Sequence, residues 1–160
     1  MLRPATTDDI FVIRDLAHAI WWAHYPDIIS PEQITYMLNL MYSPDALHRQ
    51  MTEEGVQFWL VKPDTMPVGF IAVGSKGSGS YFIHKFYLQK TEQRKGLGST
   101  TFHAMLEQYP DLQELRLTVN RLNFKSINFY FKIGFRIESC IDVPIGNDFI
   151  MNDFVMLWRR

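Results

Sequence analysis

The segment Gln93-Arg94-Lys95-Gly96-Leu97-Gly98-Ser99 stands between a strand-like run ending near Leu88 and a run with helical periodicity. Two glycines at such a junction let the backbone turn with its N–H groups pointing inward. The helix start then adds unpaired donors and the positive end of a dipole. Backbone of this kind suits a diphosphate, and Arg94 and Lys95 stand beside it as cations. Two familiar phosphate loops do not fit. A Walker loop places Lys-Ser/Thr after its last glycine, whereas Lys95 precedes both glycines, which argues against a nucleotide-hydrolysing enzyme. A dinucleotide fingerprint asks for Gly or Ala three residues after Gly98, and Thr101 stands there. Taken alone, a G-x-G reads more readily as a glycine turn at a helix start.

Other chemistry-bearing residue types are sparse. Cys140 lies in an apolar run and reads as a small core residue rather than a nucleophile. His18, His24, His48 and His103 show no metal-ligand spacing with acidic partners, so no metal is expected. Trp21, Trp22, Tyr25 and Tyr36 crowd the early helical runs. Aromatic faces attract cationic amines, but core packing is the plainer reading, more so for Trp21 than for Trp22. Asp27, Glu32 and Glu53 could meet a polyamine, with surface solvation as their default.

These residues need a scaffold, and composition bounds it. The chain of 160 residues predicts a single domain, 1–160, long enough for a core without metal or disulfide staples. Sixteen Lys plus Arg against seventeen Asp plus Glu exclude a nucleic-acid binder that works through bulk charge. One cysteine excludes a disulfide framework and a Cys-rich zinc site. No apolar run approaches the ~18 residues of a membrane span, and the opening residues lack the apolar stretch of a signal peptide. A cytoplasmic α/β or α+β protein is expected.

Local signals order the elements. Thr6 or Thr7 caps a helix whose Ile10, Ile13, Ala17, Ile20 and Trp21 share a face. Ser30-Pro31-Glu32-Gln33 reads as a capping box, followed by Ile34, Met37, Leu38 and Met41. Ser43-Pro44 starts a shorter helix that Gly55 stops. Strands are predicted over 56–61, 68–73 and 81–88, with 74–80 as a hairpin turn. A helix over 96–108, a strand over 115–119, a helix over 123–133 with Ile127, Tyr130 and Phe131 on one face, and strands over 135–143 and 149–158 complete the order β-α-α-α-β-β-β-α-β-α-β-β. The central β-α-β implies a parallel pair, and the outer strands read as antiparallel hairpins.

In this order the sequence resembles the GNAT superfamily of N-acetyltransferases. That family's acetyl-CoA motif, Q/R-x-x-G-x-G/A after the fourth strand, is matched by Gln93, Gly96 and Gly98 after Phe86-Tyr87-Leu88. Its later N-x-x-[SA]-x-x-x-Y-x-x-x-G-F is matched by Asn123, Ser126, Tyr130 and Gly134-Phe135. Arg3-Pro4-Ala5-Thr6 and Asp153-Phe-Val-Met156 look like the family's ends. The first third, with Ser43-Pro44-Asp45-Ala46-Leu47 and Phe58-Trp59-Leu60-Val61, loosely resembles bacterial spermine/spermidine N-acetyltransferases.

The resemblance implies a three-layer α/β (α+β) fold. Helices flank a mixed, mostly antiparallel, twisted sheet of about seven strands that splays at strands 4 and 5, where the cofactor enters. It implies acetyl-CoA as co-substrate and no metal. The acceptor is a primary amine, a small amine or polyamine favoured, which attacks directly in a ternary complex. A non-catalytic acyl-CoA sensor and a protein or peptide N-acetyltransferase are the alternatives. Family members commonly form homodimers, and the C-terminal strands offer sheet edges.

The resemblance also assigns roles. Gln93, Arg94, Lys95, Gly96, Leu97, Gly98 and Ser99 hold the diphosphate. Phe86 and Leu88 bond the pantetheine arm through their backbone, and the N–H near Leu88 steadies the oxyanion. Tyr130 is the acid that meets the leaving thiolate. Asn120 bonds pantetheine or a water, Asn123 caps its helix and reaches the cofactor, and Ser126 reaches phosphate or ribose. His84 is the candidate base, although a packed strand histidine is the plainer reading. Tyr81 and Glu92 are weaker bases, and a water chain without a single base is the remaining route.

Overall fold

Side-chain caps decide where most helices begin. In the computed structural model, which describes residues 1–92 and 96–160, Ser30 Oγ accepts the Gln33 N–H at 3.1 Å and opens α2 (Pro31–Tyr42). Ser43 Oγ accepts the Ala46 N–H at 3.2 Å and opens α3 (Pro44–Thr52). Ahead of α1 (Ile10–His24), one 3-10 turn is tied by the Thr6 N–H donating to Asp9 Oδ2 at 2.9 Å. The remaining helices are α4 (Leu97–Glu107) and α5 (Phe124–Lys132).

Seven strands follow the predicted order: β1 (Leu2–Pro4), β2 (Val56–Val61), β3 (Gly69–Gly77), β4 (Ser80–Leu88), β5 (Glu114–Asn120), β6 (Arg136–Gly146) and β7 (Phe149–Arg159). Their order in the sheet is β1-β2-β3-β4-β5-β7-β6. The pairs β1–β2, β2–β3, β5–β7 and β6–β7 are antiparallel, and β4–β5 is parallel. The parallel ladder runs only from Ser80↔Glu114 to Ile83↔Leu117, although β4 continues to Leu88 and β5 to Asn120. This is the expected splay.

The chain divides into two compact units, residues 1–74 with 84–110, and residues 75–83 with 111–160. In the first, α1 packs on α2 and α3, α3 on β2, and α4 on β1. Ile13, Ile34, Leu38, Leu47, Phe58, Phe70, Phe102 and Met105 are fully enclosed there, each contributing ~1.5–3 kcal/mol by burial. In the second, β5 alternates strictly. Leu115, Leu117 and Val119 are buried on one face, and Glu114, Arg116, Thr118 and Asn120 occupy the other.

Three expectations change. The hairpin turn is shorter than 74–80. β3 runs on to Gly77, and Ser78 and Gly79 turn the chain at φ 49° and 74°, the positive pair that a type I′ turn needs. The added length brings Lys76 Nζ within 5.7 Å of the Phe82 ring centroid, a cation–π contact that favours the longer ribbon. On α5 only Ile127 and Tyr130 of the predicted face are buried, and Phe131 is exposed. One residue advances the helix by ~100°, which turns Phe131 away from the stripe that Tyr130 buries. Cys140 is exposed, not a core residue. It lies on β6, the outermost strand, which is mostly exposed along its length.

Candidate functional site

In the first unit the element of interest is the start of α4. Unlike α2, α3 and α5, it has no side-chain cap among the described residues. Its N-cap residue is Gly96, at φ +76°, exposed, where an added Cβ would meet nothing within 4 Å. Glycine stands here for its left-handed backbone and not because space is tight. The N–H groups of Leu97, Gly98 and Ser99 have no acceptor inside the helix. Two polar side chains of this turn and the next, Thr100 and His103, lie against carbonyls instead. Thr100 Oγ1 donates to Gly96 O at 3.2 Å, and His103 Nδ1 lies 2.7 Å from Ser99 O. Gln93, Arg94 and Lys95 lie outside the described residues.

β4 carries the other first-unit candidates. Phe86 is half-buried and Leu88 buried. His84 is exposed, which corrects the packed reading. Its Nε2 would lie 2.8 Å from a Cβ at Gly74, so the glycine leaves room for the ring. Its neighbour Lys85 points into an aromatic cluster. Trp21, Tyr25, Tyr42, Phe70 and Tyr87 pack with ring centroids 4.3–6.1 Å apart, and the Tyr25 and Tyr87 hydroxyls are 3.4 Å apart. Lys85 Nζ lies 4.6 Å from the Tyr42 ring centroid. The side chain is 6% exposed, with no ion pair or hydrogen bond among the described residues. Burial pushes its ammonium down to about 8, with Glu54 opposing the shift.

In the second unit, α5 and the end of β5 form one hydrogen-bonded corner. Asn120 Oδ1 accepts the Leu122 N–H at 2.9 Å, Asn120 O accepts the Asn123 N–H at 2.9 Å, and Asn123 Oδ1 accepts the Ser126 N–H at 3.3 Å. Asn123 is buried and caps α5, as expected, and Ser126 is half-buried. Two turns along, Tyr130 is buried, its ring 5.6 Å from Phe135 and 5.5 Å from Phe129. Tyr81 donates to Asp111 Oδ1 at 2.9 Å, so its hydroxyl is committed to a carboxylate.

The polar face of β5 and β7 has two different ends. At one, Arg116 donates to Glu138 at 2.8 and 2.9 Å and to Glu114 at 2.9 Å, and Arg159 donates to Glu114 at 3.0 Å. The guanidiniums hold both carboxyls below their ordinary range. At the other, Asp153 stands opposite Asn120 on β5 and Ile141 on β6, 6% exposed. Burial pushes its carboxyl up to about 6, with Arg121 and the Thr118 hydroxyl pulling the other way.

Residues 27–141 match the acetyltransferase (GNAT) domain family. The chain belongs to the GNAT acetyltransferase family. This acetyltransferase is 25% identical over 156 residues to the spermidine N(1)-acetyltransferase of Thermoplasma acidophilum, covering 94% of each chain. Its fold is similar to that of the PaiA N-acetyltransferase of Thermoplasma acidophilum, crystallised with coenzyme A. The TM-score is 0.81 at 23% identity over 100% of this chain and 98% of that one. A GCN5-related N-acetyltransferase from Rhodopseudomonas palustris gives a TM-score of 0.82 at 18% identity, covering 100% and 95%.

Of the acetyltransferase's expected site residues, His84, Phe86, Leu88 and Gly96 to Ser99 belong to the first unit, and Asn120, Asn123, Ser126 and Tyr130 to the second. The structure gathers Asn120, Asn123 and Ser126 into a single corner. Two buried ionisable residues, Lys85 and Asp153, are additions that sequence reading missed. Lys85 stands between His84 and Phe86 with no local pattern to mark it as buried. In sequence Asp153 belongs only to the terminal Asp153-Phe-Val-Met156 run, and its place opposite Asn120 is a matter of register.

Proposed function

We propose that residues 1–160 work as one cytoplasmic N-acetyltransferase domain that moves an acetyl group from acetyl-CoA to the primary amine of a small molecule. The observation that carries this reading is the start of α4. It is a helix of 11 residues in a GNAT chain, opened by a left-handed glycine, and among the described residues no side chain caps it or crowds that glycine. Its amide donors suit the diphosphate of coenzyme A. Within the first unit, Phe86 and Leu88 offer main-chain groups to the extended pantetheine arm. Within the second, the corner of Asn120, Asn123 and Ser126 carries amide and hydroxyl groups of the kind that such a cofactor accepts. Acetyl-CoA supplies an activated carbonyl. Tyr130 donates a hydrogen bond or proton toward the departing thiolate, worth ~10²–10⁴-fold for a general acid.

Polyamines are the favoured acceptors. The support is the spermidine N(1)-acetyltransferase relative. One observation favours a second reading. The buried Lys85 ammonium, which makes no ion pair among the described residues although Glu54 acts on it, suits an acceptor that carries a carboxylate as well as its amine.

Thiol release from acetyl-CoA should be followed across a panel containing spermidine, spermine, simple alkylamines and amino acids. Release with at least one amine, reduced ~10²–10⁴-fold in kcat by Tyr130→Phe, is expected. Absence of release with every amine, while acetyl-CoA still raises the melting temperature, would make the chain a binding module.

A further inference from the structure

We propose that Asp153 is the general base of the transfer, taking the proton from the acceptor's ammonium group. This rests on the acetyltransferase reading above.

The argument begins with pairing. β5 meets β4 only from Glu114 to Leu117, so Thr118, Val119 and Asn120 have no ladder partner on the β4 side. A short open edge in the middle of a sheet is a place where an extended ligand adds main-chain hydrogen bonds. Asp153 stands directly across from Asn120 on the adjoining strand, ~4.5–5.5 Å away between Cα atoms. Asp153 is therefore one strand in from that edge and level with its end.

Its surroundings are those of a group kept for a ligand. Directly opposed residues share a face, so Asp153 lies with Asn120 and, one pleat along, Thr118 on β5, and with the apolar Ile141 on β6. The cations of this face, Arg116 and Arg159, are at the other end and occupied by Glu114 and Glu138. Arg121 is the remaining nearby cation, and it turns to the opposite face. There its Nη2 holds Asp142 at 2.7 Å and its Nη1 lies 2.6 Å from Cys140 Sγ, while Asn152 also donates to Asp142 at 2.7 Å. A buried carboxylate without a guanidinium is expensive to keep. A threonine or valine would serve the sheet better at this position. Burial moves the carboxyl up to about 6, against the pull of Arg121 and of the hydrogen bond from the Thr118 hydroxyl. It is then mostly ionised at neutral pH yet basic enough to hold a proton, as a general base requires.

The step balances. One Asp153 carboxylate oxygen takes a proton from the ammonium, which frees the nitrogen lone pair. The N–C bond forms at the acetyl carbonyl carbon and the C–S bond breaks. The second nitrogen proton ends on the thiol, with Tyr130 as the donor on that side. Asp153 then returns its proton to water. An ammonium and a thioester give an amide, a thiol and one proton.

The test is steady-state kinetics of Asp153→Asn from pH 5 to 9 with amines of graded basicity. We expect kcat to fall ~10²–10⁴-fold for strongly basic amines, with KM for acetyl-CoA unchanged. The acidic limb of kcat/KM, centred near 6 in the wild type, should disappear. Amines already neutral at the assay pH should lose much less. A structural role would cost all amines equally, so a uniform loss, a retained acidic limb or full activity would overturn the proposal. Should Asp153→Asn fail to fold, Asp153→Ser with added formate serves instead. Rescue that grows with formate supports the base, and its absence in a folded variant refutes it. A wild type silent toward every amine takes down the acetyltransferase reading itself, which separates that failure from a wild type that is active and indifferent to Asp153.

Discussion

The two units start their central helices in opposite ways. In the second unit α5 is closed: Asn123 fills the first turn with its own amide oxygen, and the helix contributes a side chain, Tyr130, from its middle. In the first unit α4 is open, its N-cap Gly96 presenting no side chain at all. The difference teaches what each helix is for. One end is stabilised by its own side chain, and the other forgoes a few tenths of a kcal/mol of capping and leaves its first amide donors without a side-chain acceptor among the described residues. The buried charges differ in the same spirit. Lys85 of the first unit lies on an aromatic ring and Asp153 of the second within a polar strand face, and burial drives both toward neutrality from opposite directions.

The sharpest way to break the contrast is to close α4. Gly96→Asp supplies a carboxylate that caps the helix and repels a diphosphate. Aspartate is among the residues that tolerate a left-handed φ, so the fold should survive. Losing charge-assisted hydrogen bonds worth ~1.5–3 kcal/mol predicts acetyl-CoA affinity lower by about 10–100-fold in calorimetry. Unchanged affinity would remove α4 from the binding site.

The next effect concerns Lys85. Its ammonium drops from 10.5 to about 8 in the fold, so between those pH values the unfolded chain binds more protons than the folded one. Stability must therefore rise with pH across that window, by about 3 kcal/mol in all. The penalty is fully present below pH 8. Lys85→Met lacks the titration, so denaturation curves at pH 7.5 and 10 should bring wild type and variant closer together as pH rises. Parallel behaviour of the two would mean that the ammonium is not buried as described. The smallest expected effect is at the closed helix. Asn123→Ala should lower stability by ~1 kcal/mol, read as a lower melting temperature. A variant as stable as the wild type would show that α5 does not depend on its cap.

Local rules made most of the scaffold legible. Ser30 and Ser43 cap where hydroxyl-Pro pairs announce a helix, and the alternation from Leu115 to Val119 matches the pleat of β5 residue for residue. The paired glycines Gly96 and Gly98 and the residue Tyr130 are legible because glycine pairs and framed motifs are local. The remainder depends on what covers a residue. Cys140 sits in an apolar run, but an outermost strand lacks a second neighbour to bury it. Lys85 and Asp153 carry charges that local pattern assigns to the surface, and only tertiary packing encloses them. Their chemistry follows from desolvation, a property of the assembled fold and not of any short stretch of residues.

The outermost strand has a further consequence, for how the chain behaves when crowded. β6 offers 11 residues with one edge unpaired within the chain, and Ile137 and Val143 are exposed on it. Such an edge is a template for stacking one molecule on another. Here the template is spoiled along its length. Pro144 lacks an amide hydrogen, and the register is broken between Ile137 and Ser139 and again between Pro144 and Gly146. Arg136, Glu138 and Asp142 interrupt the apolar residues with charge. Irregularities that look like imperfect sheet geometry act as a guard against aggregation.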